Sequence, residues 1–173
     1  MARHVRLLAA ALMAGGAMPL AAATGPSDAE IAHIAYTAGA LDAAAAKQAL
    51  AKTHDPQVRA FAETMLRDHE AVNGKALALV TKLKVAPADN STSQALAAQA
   101  KATETKLAAL DGKAFDRAYV ENEVAFHRTV NGALKSTLIP SADNGELRAL
   151  LETGLALFGE HQTHAEHLAT RLR

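Results

Sequence analysis

Hydrophobic positions along this chain recur at three- and four-residue steps, the spacing that puts them on one side of a helix. The clearest stretch starts at Val58. Val58, Phe61, Ala62, Met65, Val72, Ala76, Leu79 and Leu83 share one stripe, and His69 falls inside it. A histidine at such a position is buried against partner helices, so its ring needs a hydrogen bond or a metal.

The same period predicts the other elements. Ser27 and Glu30 form a capping box, which opens a helix A over Asp28 to about Lys52. Its stripe is made of small residues (Ala35, Ala38, Gly39, Ala45, Ala46, Ala49) with Asp42 as the only charge, either inside the stripe or at its edge in reach of water. Asp55 caps helix B, with Pro56 in the first turn, and helix B ends near Lys84. The short link makes A and B antiparallel neighbours. It also brings Asp42 and His69 to the same height, because each lies about a dozen residues from the turn. Residues 85–93 read as loop. An alanine-rich helix over Gln94–Leu110 reads as a crossover element packed outside the main bundle. Helix C runs from Lys113 to just before Pro140, with His127 on the stripe of Tyr119, Val120, Val124, Val130, Leu134 and Leu138. Helix D carries His161 at a core position of a heptad-like run, with His164 one turn on.

Composition agrees with an all-α domain: alanine is the commonest residue and only 3% of residues are aromatic. The first residues stand apart. Arg3 and Arg6 precede the apolar run Leu7–Ala17, and small residues at 21–23 offer a cleavage site. Residues 1–23 therefore read as a secretory signal and 24–173 as one domain, periplasmic or secreted. The apolar run is short for a membrane span of about 20 residues and is interrupted by Gly15, Gly16 and Pro19, so no span is expected in the mature chain. Without Arg3 and Arg6, 16 basic residues face 18 acidic ones. That leaves no basic excess for nucleic acid. With no cysteine there are no disulfides, thiolate ligands or cysteine nucleophiles.

The candidate chemistry lies in Asp42, His69, His127 and His161, one on each of four helices. Such a set suits a transition metal ion, zinc, copper, iron or manganese, because bundle cores converge side chains of this kind. Asp68, Glu123 and His164 stand second, as outer ligands or as partners that orient the rings. The same residues also fit a metal-free hydrogen-bonded network that fixes helix register. With a short turn after helix C, His127 and His161 are offset by ~9 Å along the axis. Buried imidazoles further predict a bundle that weakens as pH falls through about 6. The usual di-iron pattern needs two Glu-x-x-His copies, and Glu30–His33 is the only one here, so an enzyme is the less favoured reading.

The residues resemble a family of exported bacterial bundles, the domain of unknown function 4142. Phe61-Ala62 and Asp68-His69 on the second helix, Phe115-Asp116-x-x-Tyr119 and His127 on the third, and His161 on the fourth carry the resemblance. Asp42 stands where the family has a glutamate. The resemblance spans about residues 28–170 and implies a ferritin-like four-helix bundle with a short extra helix between B and C. It implies export and carries no established activity. Two functions stay open: a non-enzymatic binding protein whose core holds a metal, and a structural or stress-related envelope module that meets an envelope protein partner.

Overall fold

The computed structural model of the protein describes residues 25–173, and the expected signal, residues 1–23, lies outside the described residues. Those residues form an all-α helical bundle with no strand among them. The long helices are α1 (Asp28–Lys52), α2 (Pro56–Leu83), α4 (Gly112–Ala133) and α6 (Gly145–Arg171). Between α2 and α4 runs α3 (Ser91–Ala108), and between α4 and α6 lie a π-helical stretch, Leu134–Leu138, and one short turn of helix, α5 (Ile139–Ser141). No helix among the described residues is long and apolar enough to cross a membrane.

The helix starts follow from their caps. Ser27 and Glu30 close a capping box at α1, and Asp55 Oδ1 accepts from the Gln57 and Val58 N–H groups at α2. Asn90 and Asn144 cap α3 and α6 in the same way. Helix α2 stops where Lys84 enters the left-handed region, at φ 54°. The α5–α6 turn is tied to the start of α1: both Asp28 carboxylate oxygens accept backbone N–H groups, from Asp143 and Asn144, at 2.9 Å.

Helix α1 packs along α2, and α4 along α6. Gly39 lets α1 approach α2 closely, because a Cβ there would sit 2.4 Å from Asn73 Oδ1. Helix α3 lies across α1 and α4. Gln48 and Lys52 of α1 donate to its Glu104 and Ala108 carbonyls. As expected of a crossover element, only Ser93 and Leu107 on it are buried.

Helix C extends further than its sequence predicts. Pro140 was expected to end it, yet the chain stays helical to Ser141. Proline lacks an N–H, and its ring collides with the carbonyl four residues back in a regular helix. The π-helical stretch just before it absorbs one extra residue: the Ile139 N–H reaches five residues back to the Leu134 carbonyl. The expected offset of His127 and His161 vanishes as a result. Ser141 lies fourteen residues beyond His127 and Gly145 sixteen before His161, so the two are nearly level.

The apolar core falls into two blocks. One block, near the α1–α2 turn, centres on Phe61, Met65, Phe115, Tyr119 and Leu168. The other, at the opposite end, centres on Ile31, Ile34, Leu134, Leu151 and Phe158. Between them lies a layer of buried polar side chains: Asp42, His69, Glu123, His127 and His161.

Candidate metal centre

Four helices each bring residues to this layer. Asp42 comes from α1, His69 from α2, Glu123 and His127 from α4, and His161 from α6, and each is 4% exposed or less. Each sits within or beside an apolar stripe, so the packing that buries the stripe buries it too.

One ring nitrogen from each of His69, His127 and His161 lies within 4.8 Å of the other two. Ring centroids are 5.7 Å apart for His69 and His127, 5.4 Å for His69 and His161, and 5.5 Å for His127 and His161. Asp42 reaches two of the rings. Its Oδ1 is 3.6 Å from His69 Nε2 and its Oδ2 is 3.7 Å from His127 Nε2. These separations are too long for direct hydrogen bonds. Asp42, Glu123 and His127 form a second, overlapping set of close donor atoms.

Local partners orient two of the rings. His127 Nδ1 donates to the Glu123 carbonyl oxygen at 3.0 Å, which leaves the Nε2 lone pair facing Asp42. His161 Nε2 donates to Asp68 Oδ2 at 3.1 Å, so its Nδ1 is the free nitrogen. Asp68 is held in turn by Arg67 Nε at 2.8 Å. Phe158 stacks on His69, with centroids 4.6 Å apart and planes 8° from parallel. Gly154, one turn before Phe158, makes room for that ring, since a Cβ would lie 3.3 Å from its Cε2.

Several polar atoms here have no hydrogen-bond partner: both Asp42 oxygens, both His69 nitrogens, His127 Nε2, His161 Nδ1 and Glu123 Oε2. Buried polar atoms without partners are rare and costly. Burial sets the charges. It holds His69 down to about 3, helped by the neighbouring imidazoles, and His127 down to about 4 against the pull of the Glu123 carbonyl. His161 is also lowered by burial, though Asp68 opposes this. Burial pushes Asp42 up to about 7, and pushes Glu123 well up with the Asp42 carboxylate adding to the effect. Tyr119, one turn before Glu123, is raised by burial and then by the two carboxylates. The result is three neutral imidazoles beside a pair of carboxyl groups whose hold on protons burial strengthens.

The second-ranked residues separate. Glu123 is as buried as the first four, and Asp68 orients His161. His164 is exposed and outside the close sets of donor atoms; its ring sits edge-on to Phe61 at 5.1 Å. Asn131 was not singled out from sequence. It is buried and donates to the Phe158 carbonyl at 3.1 Å and to Gln162 Oε1 at 3.0 Å, which ties α4 to α6 beside the site. Its place on the His127 face, one turn on, was the available signal.

Cavities border the layer on two sides. His69 and His127 line a cavity of about 500 Å³ among α1, α2, α4 and α6. Asp42 and Glu123 line a smaller one, about 220 Å³, under α3.

A family model described as "Domain of unknown function (DUF4142)" matches residues 14–168. No curated protein matches the chain. Among solved structures, a protein described as secreted and assigned to DUF305, from Streptomyces coelicolor, is similar in fold. The TM-score is 0.71 at 15% identity, over 84% of this chain and 93% of that one.

Proposed function

The chain belongs to the DUF4142 family, and from the geometry of its core we propose that it is an exported, non-enzymatic binding protein that holds a transition metal ion. The observation that carries this reading is a gathering of donor atoms, many without partners, between two apolar blocks: ring nitrogens of His69, His127 and His161 in one close set, with Asp42 beside His69 and His127. Imidazole and carboxylate suit zinc, copper, iron or manganese. Asp68 and the Glu123 carbonyl already fix the tautomers of His161 and His127, as oriented ligands require. We read the four long helices as a ferritin-like four-helix bundle with α3 as the extra helix. Residues 1–23 then act as a cleaved signal and 24–173 as the mature domain.

Metal analysis of protein purified without a histidine tag tests the proposal. One equivalent of ion that is lost in His69→Ala supports it. Protein that stays metal-free after incubation with zinc, copper, manganese and ferrous iron refutes it.

A structural or stress-related envelope module is the second reading. What favours it is that two of the three rings have hydrogen-bond partners within the protein. It requires that His69→Ala lower the melting temperature while added metal leaves the native protein unchanged.

A further inference from the structure

The cavity of about 500 Å³ is within the size range of small-molecule sites. It follows α1 from Glu30 to Gly39, a length of ~13 Å. Its walls are built from side chains such as Ile34, Val72, Val130 and Leu151. Asn73, Thr129 and Thr137 also line it, and the other uncharged polar groups gather at its two ends. At the inner end are His69 and His127, both at least nine-tenths buried, with His69 Nδ1, His69 Nε2 and His127 Nε2 unpartnered. At the outer end are Asn90, Ser91 and Thr92 at the start of α3. Among the described residues that line it there is no Lys or Arg. The one charged side chain, Glu30, is engaged by the Ser27 N–H and hydroxyl.

We propose that this cavity binds a neutral, elongated, mostly hydrocarbon molecule with one hydrogen-bonding end, of the chemistry of a medium-chain alcohol. The apolar walls favour a hydrocarbon body, because a roomy apolar cavity gains little from water. The unpartnered ring nitrogens give the polar end somewhere to bond. A fatty acid carboxylate or a phosphate would meet no cation on the way in and would lose its hydration uncompensated. The outer polar rim admits solvent and leaves room for the chain end. A metal ion would take His127 Nε2 and one His69 nitrogen and leave the other His69 nitrogen for the polar end, so the site borders the metal centre proposed above but does not need the ion.

The test uses the full chain, freed of metal by chelation, so that it fails separately from the metal reading. N-phenylnaphthylamine, a neutral fluorophore that brightens in apolar surroundings, serves as the probe. Saturable one-to-one binding is expected, with decanol displacing the probe and decanoate at pH 7.5 about tenfold weaker or worse. Ala76→Trp, on the half-buried α2 wall of the cavity, should weaken the probe at least about tenfold. If that variant loses helical content, Val80→Phe on the same wall replaces it. Probe binding that is not saturable, that survives the wall substitution, or that decanoate competes for as well as decanol overturns the proposal.

Discussion

His69 Nε2 lies 3.6 Å from Asp42 Oδ1, although α1 and α2 are joined only at the far end of both helices. The pair joins an imidazole that resists protonation to a carboxyl group that retains its proton, and the cause on both sides is burial. Stability should therefore respond to pH in two opposed ways. The buried histidines have folded values below the unfolded value near 6.5, so the unfolded chain takes up protons first. Their contribution is complete above about pH 6.5 and is lost on acidification toward the folded values, about 3 for His69 and about 4 for His127. Asp42 runs the other way. Its folded value is raised from 3.8 to about 7, so its contribution is present at low pH and lost as pH rises through that window. Glu123 acts in the same direction as Asp42.

The two acids oppose the imidazoles, so stability should fall less steeply between pH 6.5 and 4.5 than the histidines alone imply. Asp42→Asn removes one opposing group and should steepen the loss by about 1.4 kcal/mol per pH unit. Urea unfolding at pH 6.5, 5.5 and 4.5 checks both slopes. A variant no more acid-sensitive than the native chain would contradict the assignment.

Asp68→Asn should act on the metal without disturbing the fold. Asp68 touches the site only through His161, and its carboxylate is partly open to solvent. Loss of an orienting carboxylate behind a histidine ligand typically lowers affinity 10–100-fold. A competition titration with a chromophoric chelator reads this, with far-ultraviolet circular dichroism as the control. Unchanged affinity would place His161 outside the ligand set.

Asn131→Ala should cost about 1–3 kcal/mol, because the Phe158 carbonyl and Gln162 lose their buried donor. Denaturant unfolding gives the value directly. The native denaturant slope should be retained, since the variant removes hydrogen bonds and exposes no new surface on unfolding.

Gly154→Ala tests the stacked ring. The added Cβ approaches Phe158 Cε2 at 3.3 Å, so Phe158 must yield and its contact with His69 changes. The expected result is a shift of the His69 ring resonances by NMR, with the His161 resonances moved less. Unperturbed His69 signals would show that the ring has room to spare.

Much of this molecule was legible in its sequence because the signals are local. Ser27, Asp55 and their partners mark helix starts, and the stripes of α2 and α4 mark buried faces. The level placement of Asp42 and His69 follows from counting residues about a short turn. What escaped was set by packing between helices. Glu123 lies four residues before His127 on the same face, yet it ranked second because position on a helix does not by itself show whether an acid turns inward or reaches water. Pro140 suggested a stop, and only the π-helical stretch before it shows how the helix continues. His164 lies three residues from His161, which turns it off the buried face toward the exposed flank of α6.

Helix α3 bears on all of this in a different way. It covers the cavity that leads to Asp42 and Glu123, yet it anchors to its neighbours through Leu96, Leu107 and a few side-chain bonds to its carbonyls. A cover so lightly fastened can lift at small free-energy cost while the long helices stay intact. An ion arriving from the α3 side would then have a second entrance, and the rate at which it reaches Asp42 and Glu123 would be set by this lightly held helix rather than by the ligands themselves.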